Sequence, residues 1–234
     1  MDHGLLRRAS AEAVGTGLLV ATVIGSGIAA QRLSPDDAGL QLLENAVATG
    51  AVLVALILAL GSISGAHFNP VVTLADRLLG GMTTTESGMY VLAQVVGACA
   101  GAVIANLMFD LPAVTWSTHD RSSSGVLLGE VVATFGLLVV ILGIVRSGRT
   151  QMAAFAVGAY ITAAYWFTSS TSFANPAVTI ARTLSDTFAG IDPADVPLFV
   201  VFQVVGALLA IALVRYWKPD LDASDVVVPH EQVS

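Results

Sequence analysis

Charged side chains and cysteine are both scarce in this chain of 234 residues. Lysine, arginine, aspartate and glutamate together make up 12% of it, against about 25% in an ordinary soluble domain. Disordered proteins combine low hydrophobicity with high charge, so that class is excluded. The single cysteine, Cys99, excludes a scaffold of intrachain disulfides. The chain has ten basic residues against seventeen acidic ones, and the basic residues do not form a stripe, so we do not expect it to bind nucleic acid.

What the chain has instead is a series of long apolar segments. Hydrophobic residues make up 55% of the sequence, and a helix needs about 20 mostly apolar residues to cross a bilayer. Six segments are that long or nearly so, and we predict a transmembrane helix at each: about 11–30, 44–63, 88–109, 125–145, 152–169 and 197–217. The expected surroundings are therefore the lipid bilayer, and the expected fold class is an all-α membrane protein.

Two further apolar segments, about 69–79 and 175–185, are too short to cross a bilayer, and each begins with Asn-Pro. Proline suits the first turn of a helix, where its missing N–H costs nothing. Irregular backbone at membrane depth is tolerated only where it lines a wet cavity or is buried in protein. We therefore predict two re-entrant half-helices in addition to the six spans.

Three sequence markers recur in the same order in the two halves of the chain. Glu12 is followed by the first Asn-Pro pair and by Gln-Val-Val-Gly-Ala from Gln94, and Glu130 is followed by the second pair and the identical pentapeptide from Gln203. Each half has three spans, an odd number, so the second half must insert upside down. Inverted repeats with broken helices place their site near the membrane midplane.

The predicted domain organisation is a single membrane domain over 1–234. It consists of one inverted repeat at 9–110, a second at 124–218, and a cytoplasmic tail at 219–234. With the N-terminus inside, seven basic residues are cytoplasmic and three are external, which favours both termini inside. The expected location is the cell membrane, plasma or inner, with multiple passes.

The two Asn-Pro boxes, the preceding stretch from Ser64 to Phe68 and the glutamate of each half resemble the aquaporin and aquaglyceroporin family, also called the major intrinsic proteins. The resemblance extends over about residues 9–217. It implies two half-helices that meet N-terminus to N-terminus at the membrane centre, and a homotetramer with one pore per subunit. The residues that it places in the two boxes are Asn69, Pro70 and Val71, and Asn175, Pro176 and Ala177.

The implied arrangement would repel cations at its centre. Each helix N-terminus carries about half a positive charge and unpaired N–H groups, and neutral solutes with lone pairs are admitted past such a centre. Asn69 and Asn175 would cap the half-helices and direct amide donors into the pore. The resemblance also implies that Glu12 and Glu130 are buried acceptors for loop N–H groups, and that His67 lies beside the pore mouth. No second ligand stands at helical spacing from this histidine, so neither a metal site nor a cofactor is expected.

The chain departs from the family at the second box, which usually reads Asn-Pro-Ala-Arg. That arginine narrows the external constriction, but Val178 occupies its position here. Arg182 follows one turn later. It could lean back toward the pore, but its side chain would have to run past Val178, so we expect it to face an external loop or a lipid phosphate. Spacing from the boxes assigns Thr49 and Ser172 to the selectivity filter together with Val178. The remaining filter position is either Tyr165 or Ala163.

This uncharged filter predicts a passive channel for water and small neutral solutes. Glycerol-like polyols, urea and hydroxylated metalloids such as arsenous acid are the candidates, and the chain resembles bacterial channels associated with arsenic resistance. The alternatives are a strict water channel and a proton-coupled secondary transporter, since inverted repeats also serve transporters. The acids offer neither a paired arrangement nor a nucleophile motif, so an enzyme is not expected.

Overall fold

The computed structural model describes residues 3–217, so Lys218 and the predicted tail at 219–234 lie outside the described residues. Within 3–217 the chain is helical and has no strand. A single 3-10 turn, Thr150–Met152, precedes α6. The α-helices are α1 His3–Leu33, α2 Ala38–Ser64, α3 Pro70–Leu79, α4 Thr84–Met108, α5 Ser124–Arg146, α6 Ala153–Phe167, α7 Pro176–Arg182 and α8 Val196–Trp217.

Five of these helices, α1, α2, α4, α5 and α8, are long and apolar enough to cross a membrane. The remaining predicted span, 152–169, was too long: α6 has 15 residues, or about 22 Å at 1.5 Å per residue. It ends at Phe167 because the chain turns there into a non-helical segment that leads back toward the second Asn-Pro box. The all-α fold class is confirmed.

The two half-helices begin as predicted, with an asparagine cap and proline in the first turn. Helix α3 ends at Gly80, whose φ of 94° is the left-handed conformation that glycine adopts without strain. Helix α7 is shorter than the predicted 175–185 and ends at Arg182. The chain leaves the helix there because Ser185 donates a hydrogen bond to the side chain of Asn106, at 2.7 Å.

Each half of the fold has the same order of elements: two helices, a half-helix and a final long helix. In the first half α1 packs on α2 and α4, and in the second half α5 packs on α6 and α8. The helices approach closely at glycines. A Cβ on Gly97 would lie 2.0 Å from the carbonyl oxygen of Ala13, and one on Gly206 would lie 2.5 Å from that of Val131.

The bundle has two faces, which we name by the parts of the chain found there. The proximal face contains the start of α1 and the end of α8, and Arg8 there pairs with Glu86 at 2.6 Å. The distal face contains the connections 109–123 and 183–195, which are joined by the hydrogen bond from Thr115 N to the carbonyl oxygen of Leu184. Helix α1 therefore runs from the proximal to the distal face and α5 runs the opposite way. The repeat boundaries at 9–110 and 124–218 stay predictions.

Candidate pore and its selectivity site

The two segments that lead into the half-helices have unusual backbone conformations. Five residues other than glycine have positive φ there: Ala66, Phe68, Thr171, Ser172 and Ala174, with φ between 47° and 60°. Such conformations are rare for residues with a Cβ and persist only where surrounding contacts enforce them. The contacts that enforce them come from the two buried glutamates.

Glu12 fixes the first of these segments. Its carboxylate accepts hydrogen bonds from the backbone N–H of His67 at 3.0 Å and of Phe68 at 2.7 Å. It also accepts from the Ser64 hydroxyl at 2.6 Å and from the Gln94 side-chain amide at 2.7 Å. The side chain is fully buried, so these bonds replace the water that the carboxylate loses.

Glu130 fixes the second segment in the same way. It accepts from the backbone N–H of Phe173 and of Ala174, both at 2.9 Å, and from the Gln203 amide at 2.5 Å. The structure thus places both glutamates against the loop N–H groups where the resemblance implies them. Gln94 and Gln203 are partners that the sequence analysis used only as repeat markers. Their recurrence after each half-helix was the signal that they serve the same purpose in both halves.

Asn69 and Asn175 cap the half-helices with their side-chain oxygens. Asn69 Oδ1 accepts from Val71 N at 3.0 Å. Asn175 Oδ1 accepts from Ala177 N at 3.0 Å and from Val178 N at 3.3 Å. Each oxygen thereby satisfies helix donors that have no partner within the helix itself.

The same two asparagines tie the half-helices together. Asn69 Nδ2 donates to the carbonyl oxygen of Ala174 at 2.8 Å, and Asn175 Nδ2 donates to that of Phe68 at 2.7 Å. The N-termini of α3 and α7 therefore face each other across the centre of the fold. A side-chain amide has two N–H donors, so each asparagine keeps a second one for a molecule in the adjoining cavity.

A cavity of about 910 Å³, including its open mouths, passes the two asparagines. One wall is apolar and is built by side chains from α1, α2, α5 and α6. The opposite wall is built by the two strained segments, the asparagines and the half-helices. The apolar residues are Leu19, Val23, Leu53, Ile57, Leu137, Ile141, Val157 and Ile161.

Four predicted filter residues line this cavity: Thr49, Tyr165, Ser172 and Val178. The Thr49 and Tyr165 hydroxyls are 3.0 Å apart and share a hydrogen bond. The alternative filter residue, Ala163, was wrong. It is exposed on the outside of α6 and does not line the cavity, because a shift of two residues along a helix turns a side chain to a different side.

Arg182 lies in the cavity wall as well. Of its two expected contacts, the one with a lipid phosphate was wrong, because the side chain is only 2% exposed, whereas the one with a loop is present. Its Nε donates to the carbonyl oxygen of Ala189 in the distal connection, and its guanidinium carbon lies 3.4 Å from the centre of the Phe173 ring. These two contacts hold the guanidinium inward instead of letting it extend to the surface.

A second arginine of the distal connections contacts the same aromatic ring. The guanidinium carbon of Arg121 lies 4.9 Å from the Phe173 ring centre, and its Nε donates to the carbonyl oxygen of Gly190 at 2.9 Å. Burial lowers the pKa of Arg121 to about 10, so the side chain remains charged at neutral pH. Burial and the neighbouring Arg121 also lower the pKa of His119, which favours its neutral form.

His67 also lines the cavity, between the asparagines and the proximal face. Its Nδ1 lies 3.0 Å from the Thr73 hydroxyl, and its Nε2 lies 3.7 Å from a carboxylate oxygen of the buried Asp76. The sequence analysis missed Asp76, although a charged residue within a re-entrant apolar segment was a signal for it. Within residues 3–217 there is no group of three side chains able to hold a metal ion.

Comparison with known proteins identifies the family. The major intrinsic protein family model matches residues 2–170 and 146–234. Aquaglyceroporin AqpS of Rhizobium meliloti is 53% identical over 92% of this chain and 91% of its own. Aquaporin AqpM of Methanothermobacter marburgensis is 32% identical, over 91% of this chain and 97% of its own. The X-ray structure of the aquaglyceroporin from Plasmodium falciparum superposes with a TM-score of 0.74 at 20% identity, covering 92% of this chain and 98% of that one.

The family match extends over nearly the whole chain and agrees with the paired half-helices and the cavity between them. It confirms the prediction of a channel instead of an enzyme. The chain belongs to the major intrinsic protein family and is a membrane channel for water and small solutes.

Proposed function

We propose that this channel conducts glycerol-sized polyols and other small neutral solutes as well as water, and that arsenous acid is among them. The observation that carries the proposal is that the four predicted filter residues that line the cavity are all uncharged. We call these residues, Thr49, Tyr165, Ser172 and Val178, the ring. Valine at position 178 leaves more room in this ring than an arginine there would. The name aquaglyceroporin of the 53% identical relative supports the same substrate class.

The lining suits solutes that have a polar and an apolar side. The Ser172 hydroxyl and the amides of the two asparagines offer hydrogen bonds along one wall. The opposite wall is aliphatic apart from the Thr49 and Tyr165 hydroxyls. A polyol can turn its hydroxyl groups to the first wall and its C–H groups to the second. It therefore loses fewer hydrogen bonds on leaving water than it would in a wholly apolar pore.

The buried glutamates favour passive conduction over proton-coupled transport. Coupling needs an acid that can take up and release protons along the transport path. Glu12 and Glu130 do not line the cavity, and each already accepts from two loop N–H groups and a glutamine amide. A dependence of glycerol uptake on a proton gradient would instead favour the transporter alternative.

Stopped-flow light scattering on proteoliposomes tests the proposal with water, glycerol, urea and arsenous acid as separate solutes. We expect water and glycerol to permeate well above the rate of empty liposomes, and arsenous acid to do the same. Thr49→Trp should close the ring and stop glycerol, whereas Ala163→Trp, on the outside of α6, should leave glycerol flux unchanged. Permeation by water alone would overturn the proposal and favour a strict water channel.

We further propose that the proximal face is cytoplasmic, because basic residues concentrate there. A cysteine introduced at the exposed Thr118 of the distal connection, with Cys99 replaced, should react with a membrane-impermeant maleimide added to intact cells.

The assembly expected from the family resemblance is a homotetramer. Light scattering of the detergent-solubilised protein measures its mass.

Basic residues that we place on the cytoplasmic side are Arg7, Arg8, Arg77, Arg146, Arg149 and Arg215. The external ones are Arg32, Arg121 and Arg182.

A further inference from the structure

Arg182 holds an uncompensated positive charge at the distal part of the cavity. Within residues 3–217 its Nε has a hydrogen-bond partner, the carbonyl oxygen of Ala189, and no carboxylate lies within ion-pair distance of the guanidinium. The other two guanidinium nitrogens have no protein partner in that part of the chain, and neither is among the fully enclosed polar atoms. Because Arg182 lines the cavity, these nitrogens face the space through which solutes pass.

We infer that Arg182 is a specificity-determining residue of this channel, which repels cations and donates hydrogen bonds to solute oxygens at the distal mouth. This inference rests on the proposed function and deepens it. Arg182 lies four residues after Val178 on α7, which is about 6 Å along the helix axis. The residue that carries the charge is therefore attached one turn later on the half-helix than in the family's usual box.

The arrangement separates the width of the pore from its charge. The ring is formed by uncharged side chains, so a polyol is not obstructed there by a guanidinium. A cation must still pass Arg182 and then the facing N-termini of α3 and α7, whose partial positive charges also repel it. Arg182 therefore adds exclusion of cations without adding bulk at position 178.

The position related by the internal repeat carries the opposite charge. Asp76 and Arg182 each stand seven residues after the asparagine of their box, and both are buried. A carboxylate near the proximal mouth attracts cations instead of repelling them. Of these two positions, only Arg182 can therefore repel cations.

The test measures potassium leak and glycerol permeation on the same proteoliposomes. Arg182→Gln should raise potassium leak at least about tenfold, since a unit charge that lines the cavity acts strongly on a passing cation at an effective dielectric constant near 20. Glycerol permeation should fall, because the solute loses the hydrogen-bond donors of Arg182, but it should still exceed that of empty liposomes. Arg32→Gln is the control, because Arg32 is an exposed arginine of the distal face that contacts Phe109 and does not line the cavity, and its potassium leak should remain at the wild-type value.

Two further variants extend the test, and Arg182→His keeps it decisive if Arg182→Gln does not fold. Adding Val178→Arg to Arg182→Gln should return potassium leak to the wild-type value by supplying the charge one turn earlier. Arg182→His should leak more potassium above pH 7 than at pH 5.5, because histidine loses its charge near pH 6.5. Wild-type leak in Arg182→Gln, or a pH-independent wild-type leak in Arg182→His, overturns the inference. Lack of glycerol permeation in the wild-type channel overturns the proposed function instead.

Discussion

Removal of the Glu130 carboxylate should collapse the second half of the pore. Besides the Ser170 hydroxyl, three donors bond to this side chain: the N–H groups of Phe173 and Ala174 and the amide of Gln203. In Glu130→Ala all three lose their buried acceptor, and an unsatisfied buried donor costs about 1–3 kcal/mol. The expected loss is therefore about 3–9 kcal/mol, against a total stability of about 5–15 kcal/mol for a typical protein.

The conservative variant, Glu130→Gln, removes the charge and one of the two accepting oxygens without changing the size of the side chain. Glu130→Gln keeps one oxygen that can accept from a backbone N–H, but its amide donors would face the second N–H, so we expect an intermediate stability. Glu44→Gln is the control, because Glu44 lies near the distal face and accepts from the Ser34 hydroxyl at 3.1 Å instead of from a re-entrant segment.

Thermal unfolding in detergent and glycerol permeation in liposomes should both rank the three variants in one order: Glu44→Gln closest to wild type, then Glu130→Gln, then Glu130→Ala. If Glu130→Ala unfolds at the temperature of Glu44→Gln and conducts glycerol equally well, the carboxylate does not hold the pore segment and the reasoning fails.

Two other variants probe helix packing and the ring. A Cβ on Gly101 would lie 2.1 Å from the carbonyl oxygen of Gly17, so Gly101→Ala should force α1 and α4 apart and cost about 1–3 kcal/mol in detergent unfolding. Gly88→Ala meets open space and should be neutral or slightly stabilising, and equal effects of the two would refute the packing argument. Tyr165→Phe removes the hydroxyl that bonds to Thr49. Its glycerol permeability should fall more than its water permeability, and a proportional change in both would refute a role for this hydroxyl in polyol passage.

The fold was predictable because its signals are local and repeated. Apolar length predicts the spans, Asn-Pro marks the start of each half-helix, and the recurring glutamate and pentapeptide reveal the duplication. The α6 boundary was less predictable. The turn after Phe167 depends on where the chain returns to Asn175, which is a tertiary constraint that local apolarity does not express.

The residues of the site could be predicted where their spacing from the two asparagines determines their position. They could not be predicted where the direction of the side chain determines whether a residue lines the cavity. Counting from the two asparagines placed Ser172 and Val178 correctly in the cavity wall. The same counting did not decide whether Tyr165 or Ala163 lines the filter, because the length of the intervening loop determines which side of α6 faces inward. The direction of Arg182 depends on Ala189 and Phe173, which spacing alone does not bring together.

Permeability to polyols depends, we propose, on the uncharged side chain at position 178 of the ring. The most direct test is the ratio of glycerol to water permeability in wild-type and Val178→Arg proteoliposomes prepared in parallel. Val178 is only 5% exposed and lines the ring, so a guanidinium in its place must occupy the space that a polyol needs. We predict a high ratio for the wild-type channel and a much lower ratio for Val178→Arg, with water still permeant. An equal ratio in the two proteins would contradict the claim.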